Sequence, residues 1–149
     1  MNHMVIYNKK VAGHDVIAQI LSGSKRLGFK FTTNRTAPYQ KLADGDTVYL
    51  KESSGPIVGR ITVKSVKNIE LTNPEMVMEF LTKHFEALGL NEEHLMGIWR
   101  FNQSKRYLCY WRVDTTERAH HPVMVHKADR RVWVAGYEPS EEVLAAFTS

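Results

Sequence analysis

Residues 45–59 read Gly45-Asp46-Thr47-Val48-Tyr49-Leu50-Lys51-Glu52-Ser53-Ser54-Gly55-Pro56-Ile57-Val58-Gly59. Residues 47–51 and 57–67 are rich in β-favouring side chains, and the polar run 52–56 between them carries the Gly and Pro that turns require. In 57–67, Ile57, Gly59, Ile61 and Val63 fall on one side and Val58, Arg60, Thr62 and Lys64 on the other. That period of two marks a half-buried strand. Two strands joined by a turn therefore form the centre of the fold, and the rest of the chain is read outward from them.

Upstream, residues 27–33 alternate in the same way, with Leu27, Phe29 and Phe31 opposed to Lys30 and Thr32. Before them, Asp15 is placed to cap a short helix whose Val16, Ile17, Ile20 and Leu21 share a face, and Gly23 is placed to stop it. Residues 34–40 form a loop containing Pro38, and 43–46 form a turn. Downstream the period changes. Thr72-Asn73-Pro74-Glu75 starts a helix with Pro in its first turn and an acid facing the helix dipole. Val77, Met78, Leu81, Phe85 and Leu88 follow at helical spacing up to Gly89, and Asn91 begins a second acidic helix through Leu95, Ile98 and Trp99. Residues 106–118 alternate again, Tyr107, Cys109, Trp111 and Val113 against Leu108, Tyr110 and Arg112. Residues 122–125 and 131–135 read as short strands, and Ser140 caps a closing helix over 140–148. The order is helix, three strands, helical insertion, three strands, helix. It predicts an α+β fold, a small closed or nearly closed mixed or antiparallel β-barrel with flanking helices. No repeat or linker divides the 149 residues, so a single domain over 1–149 is expected.

With 43% hydrophobic and 24% charged residues, the chain can bury a core. Its apolar runs fall far short of the roughly 20 residues that cross a bilayer, and residues 1–4 lack the basic flank and apolar stretch of a signal peptide. Cys109 is the only cysteine, which excludes an internal disulfide framework and a cysteine-based zinc site. The expectation is a soluble protein of a reducing cytoplasm, with no membrane partner. The seven histidines include no pair at i, i+4 spacing, so neither a metal nor another cofactor is expected. No phosphate-binding loop or dinucleotide glycine fingerprint is present. Cys109 lies in an apolar strand and reads as an inert buried thiol, and Trp99 and Trp111 read as core.

The net charge of +4 is unevenly distributed. Residues 23–67 hold nine basic and three acidic side chains and residues 99–137 hold eight and three, whereas residues 68–98 hold one and six. If folding makes the two basic blocks neighbours, they form one positive concavity suited to a polyanion, with the acidic helices facing away. Within these blocks three segments carry chemistry. In 23–39, Lys25, Lys30 and Arg35 are cations for phosphate, Asn34 flanks them, and Tyr39 offers a ring to an unstacked base. In 45–59, Lys51 adds a cation, Ser53 and Ser54 add hydroxyl donors, and Glu52 is a carboxylate beside them. In 127–134, Lys127, Arg130 and Arg131 surround Asp129, whose bland reading is an ion pair with its neighbours.

In this order the segments resemble the ASCH domain, a branch of the PUA-like superfamily, and in particular a bacterial subgroup. The resemblance covers about residues 15–136. It rests on Gly45-Asp46-x-Val48-x-Leu50-Lys51 before a Ser/Gly-Pro turn, on Asn34-Arg35…Pro38-Tyr39, and on Lys127…Asp129-Arg130-Arg131…Trp133. The family's leading motif, Gly-x-Lys-x-x-Glu-x-Arg, is met by Gly23 and Lys25, but Gly28 stands where Glu is usual and Lys30 where Arg is usual. The resemblance implies a PUA-like barrel with a cleft between the first helix and the strands, lined by Lys25, Lys51, Glu52 and the 127–131 segment.

It also implies handling of RNA or of single modified bases. The leading expectation is therefore a binding module for single-stranded RNA or a nucleotide-like ligand. An alternative is a metal-independent ribonuclease in the same cleft, with a buried lysine of depressed pKa as base, its cationic partner as stabiliser and Tyr39 or Tyr49 as hydrogen donor. Over the enzymatic readings together, Lys25, Lys51 and Glu52 are the candidate catalytic groups. Amidohydrolysis of acetylated cytidine is a further alternative, weakened because Gly28 has no side chain where the similar enzyme places a threonine nucleophile. A protein-interaction domain using the acidic helices is a fourth reading.

Overall fold

The computed structural model describes residues 1–126 and 131–148. The chain begins with strand β1 (Asn2–Tyr7), a single helical turn α1 (Lys9–Ala12) and helix α2 (Val16–Ser22). Asp15 caps α2 by accepting from the Ala18 amide at 3.0 Å, and Gly23 ends it at φ 88°. Strands β2 (Leu27–Thr32), β3 (Thr47–Glu52) and β4 (Pro56–Glu70) follow, then helices α3 (Pro74–Lys83) and α4 (Glu92–Asn102) of the insertion. Strand β5 (Tyr107–Met124), strand β6 (Trp133–Ala135) and helix α5 (Glu141–Ala145) complete the order.

The six strands form one mixed sheet in the order β2-β5-β4-β3-β1-β6. The β1–β3 pair is parallel and the other neighbouring pairs are antiparallel. The sheet curls into a half-barrel, and a single contact gives the size of the curl. Four strand spacings separate β5 from β6, about 19 Å in a flat sheet, yet the rings of Trp111 on β5 and Trp133 on β6 lie 5.3 Å apart in an edge-to-face pair. Register shifts at Leu50/Lys51 on β3, and at three places along the β4–β5 ladder, supply the local bending.

Alternation then fills both faces. Val48, Leu50, Ile61, Val63, Cys109 and Trp111 point into the curl, where Val16, Ile17 and Ile20 of α2 cover them. On the outer face, Leu27, Phe31 and Leu108 pack against Val77, Phe80 and Leu81 of α3 and against Leu88. Tyr49, Ile57 and Val123 pack against Val143 and Phe147 at α5.

The expected elements are present with three differences. The 106–118 and 122–125 stretches form one long strand, since Val123 and Met124 still pair with Ile57 and Pro56. The barrel is half closed, with β2 and β6 as the outermost strands of the sheet among the described residues. Strand β1 was not expected. Its polar start, with Asn2 and His3, disguises a buried segment. His3 is fully buried. The Trp133 indole N–H donates to His3 Nδ1 at 3.1 Å, so that nitrogen carries no proton, and the His3 Nε2–H donates to Asp46 Oδ2 at 2.8 Å. Asp46, half of the Gly45-Asp46 motif, thus joins β1 and β6 to the start of β3.

Burial pushes the Asp46 carboxyl up. Hydrogen bonds from His3, the Ala43 amide and the Met1 amino group outweigh that effect and leave it below its ordinary value. The folded state prefers the carboxylate, so Asp46 stabilises the fold above about pH 4, and this contribution is lost as pH falls through its lowered native pKa. Asp46→Ala should cost about 1–3 kcal/mol near neutrality and flatten the acid limb of stability in urea unfolding between about pH 2 and 5. An acid limb identical to that of the natural chain would refute the role.

Gly28 also has a structural reason. It pairs directly with Trp111, and a Cβ added there would collide with the indole. Gly28→Ala should cost about 1–3 kcal/mol by overpacking with no change in the urea m value; wild-type stability would show that the ring can move aside.

Candidate functional site

The two basic blocks meet at one end of the sheet. Strand β2 places Lys30 opposite Cys109 and Thr32 opposite Tyr107 on β5. Beyond that register, the Arg106 amide donates to the Thr32 carbonyl at 3.1 Å and the Leu71 amide donates to the Arg106 carbonyl at 2.7 Å. Residue 106 is therefore laced between the ends of β2 and β4. The guanidinium groups of Arg35 and Arg106 lie 5.6 and 6.0 Å from the Tyr107 ring centroid. Lys30 is half-buried, and its pKa is lowered first by that burial and then by the charge of Lys105.

Lys30 and Arg35 of the first block thus sit beside Lys105 and Arg106 of the second. Among the described residues no carboxylate is within ion-pairing distance of these four cations. The Arg35 pKa is raised first by a hydrogen bond to the Tyr107 side chain, and Glu70, opposite Tyr107 on β4, is the acid whose charge also reaches it. Next to this cluster lies an open groove of about 470 Å³ between residues 70–74 and 103–106. Sequence reasoning named Lys30 and Arg35 but missed Lys105 and Arg106. The available signal was the Lys-Arg pair at the start of an alternating strand in a basic block.

The other expected residues occupy different surroundings. Lys25 is buried, with 6% of its surface exposed. Its amine donates to the Leu88 carbonyl at 2.9 Å and lies 5.1 Å from the Phe29 ring centroid. Gln19 on α2 donates to the Gly89 carbonyl at 3.0 Å beside it. Lys25 is therefore not on an open rim: the connection between α3 and α4 covers it, and burial lowers its pKa to about 8.

Lys51 is also buried, between Ile6 of β1 and Ile57 of β4, and its amine donates to the Glu52 carbonyl at 3.0 Å. The Glu52 carboxylate is 3.7 Å from the Lys9 amine, which also pairs with Asp15 at 3.1 Å. Ser53 and Ser54 are exposed in the β3–β4 turn, with Ser54 at φ 54° and the Ser53 amide donating to Tyr7. Asn34 is exposed. Tyr39 departs from its expected role: its ring is buried in the core 4.9 Å from Tyr107, where it buttresses that ring and offers no face to a base. Lys127, Asp129 and Arg130 lie outside the described residues, and Arg131 is exposed just before β6.

The Trp111 indole fills the space where a side chain at position 28 would stand, so no nucleophile is available there. Cys109 is fully buried, and burial pushes its thiol up to about 12, which suits an inert group. Among the described residues no group of three or more His, Cys, Asp or Glu side chains could hold a metal ion. No helix among them is long and apolar enough to cross a membrane.

Comparison with solved structures decides the fold family. The chain superposes on the crystal structure of ASCH from Zymomonas mobilis with a TM-score of 0.64 and 10% identity, covering 97% of this chain and 92% of that one. The fold is that of an ASCH domain. A serine-to-alanine variant of the same Zymomonas mobilis protein gives a TM-score of 0.67 at 11% identity, over 99% and 96% of the two chains. The chain also superposes on the N-terminal domain of Staphylothermus marinus McrB with a TM-score of 0.54 and 13% identity, over 98% and 92% of the two chains. No family model matches the sequence. In sequence, 80 residues are 32% identical to "Putative T-box protein 39" of Caenorhabditis elegans, a match spanning 52% of this chain and only 20% of that protein's length.

Within this ASCH fold the buried Lys25 has a measurable signature. Its charged form is disfavoured by folding, so the unfolded chain holds the proton more tightly and stability rises with pH between about 8 and 10.5. Lys25→Met should lack that one-proton rise, so the two stability curves should diverge across this range. Parallel curves over the range would place the amine in water.

Proposed function

We propose that this chain is a nucleic-acid-binding module of the ASCH fold, with single-stranded RNA or a nucleotide-like ligand as its partner. The observation that carries the reading is the convergence of Lys30, Arg35, Lys105 and Arg106, from two distant basic segments, at one end of the sheet. Cations gathered here, with no carboxylate in ion-pairing distance among the described residues, repel one another, and a phosphate backbone relieves that repulsion while releasing its own counterions. The adjoining groove offers Ser104, Gln103, Thr72 and Asn73 as neutral hydrogen-bonding groups. Ser53 and Ser54, exposed in the β3–β4 turn, extend the same reading there as hydroxyl donors.

The Lys105→Ala/Arg106→Ala double variant should weaken binding of a labelled single-stranded RNA in fluorescence anisotropy. It should also reduce the slope of log Kd against log salt by about 1.4, the value for two lost phosphate contacts on a single strand. Lys83→Ala, which removes an exposed cation on α3, should leave both unchanged. Equal losses in the two variants would defeat the proposal.

One observation favours catalysis as a second reading. The Lys25 amine, at a pKa of about 8, has a sizeable neutral fraction near physiological pH and is chemically fit to act as a base. Cleavage by this route requires the α3–α4 connection to uncover the amine. It predicts degradation of RNA in EDTA that Lys25→Met abolishes; cleavage that survives the substitution would come from elsewhere. The insertion does expose Met96 and Phe101. Its neighbouring groove is cationic, which favours a polyanion over a protein surface there.

A further inference from the structure

Burial on α4 follows the expected pattern on one face: Leu95, Ile98 and Trp99 pack against the outer cluster. Phe101 does not. It is 73% exposed, more than any other large apolar side chain among the described residues. Leaving a phenyl ring in water forgoes its burial energy, and here the exposed ring is beside charge. The Lys105 amine lies 5.3 Å from the Phe101 ring centroid, and Lys105 and Arg106 line the adjacent groove.

An exposed aromatic ring next to uncompensated cations is the combination that binds unpaired nucleotides, the bases stacking on the ring and the phosphates meeting the cations. Tyr39, the aromatic residue first expected in this role, is in the core. We infer that Phe101 is a base-stacking platform that, together with Lys105 and Arg106, forms a site for single-stranded nucleic acid on the rim of the 70–74/103–106 groove. This inference rests on the nucleic-acid reading above and narrows it. The bases of a duplex are stacked on one another and give the ring no open face, so the site selects unpaired strands.

The test uses the full chain and three labelled probes: a 12-nucleotide uridine-rich RNA, the DNA of matching sequence, and a blunt RNA duplex. Phe101→Ala should weaken binding of the single strands at least about fivefold, the lower end for loss of one stacked base. It should leave the salt slope and the duplex affinity as they were, whereas the Lys105→Ala/Arg106→Ala variant lowers the slope. Phe101→Trp should restore affinity, and its added fluorescence should be quenched by single strands beyond any change in the natural chain. Equal loss for RNA and DNA identifies the bases as the contact, and loss for RNA alone adds a ribose contact at the same ring. If Phe101→Ala binds single strands like the natural chain while the double variant does not, the stacking platform is wrong and the nucleic-acid reading stands. If the natural chain binds none of the probes, both are wrong. Binding only to phosphatidylserine vesicles, lost in Phe101→Ala, would make the ring a membrane contact and likewise overturn the inference.

Discussion

The contact between Trp111 and Trp133 is the constraint on which the remaining structure depends. A mixed sheet of six strands has no intrinsic reason to bring its second strand to its last. Here the two indoles meet across the curl at 5.3 Å. An edge-to-face pair contributes only about 0.5–1.5 kcal/mol beyond the area it buries, so the rings act mainly by shape. Trp111 can lie flat across β2 because position 28 has no side chain, and Trp133 is held by His3, itself held by Asp46. Removing any link in that series loosens the same closure. The Gly45-Asp46 motif and the glycine in place of the usual glutamate are therefore parts of one packing solution.

The charge distribution follows from the same geometry. β5 enters the sheet between β2 and β4, so whatever precedes Tyr107 must emerge beside whatever follows Thr32. The residues so placed are Lys105 and Arg106 on one side and Arg35 on the other, with Lys30 one turn of the pleat away. The charge of Lys105 is felt at Lys30, and the Arg35 and Arg106 guanidinium groups share the Tyr107 ring. The acidic insertion supplies the outer wall of the β2–β5 face, and its two ends, the start of α3 and the last turn of α4, come to this edge. That turn carries Phe101 and leads into Lys105.

Much of the fold was legible from local pattern. The period-two runs at 27–33 and 57–67, the β-favouring run at 47–51, the helical spacing after Pro74 and the Asp15 and Gly23 caps all correspond to the observed elements, because each rests on contacts within one segment or its nearest neighbour. The lysines were harder. Lys25 and Lys51 are marked by their motifs, but nothing local reveals that Leu88 or the β1 and β4 strands would cover them. A solvated charge and a buried one have the same letter. Tyr39 failed for the same reason: a tyrosine in a polar loop gives no sign that the loop folds back on Tyr107.

What could be known from the chain alone was therefore the kind and order of its elements, the separation of basic from acidic blocks and the resemblance in its motifs, since all three are properties of neighbouring residues. Strand β1, the half-closed curl and the meeting of the two basic blocks arose from pairings between residues tens of positions apart. Such pairings depend on which faces are left to bury once every element is formed, and that choice is made by the packed molecule as a whole.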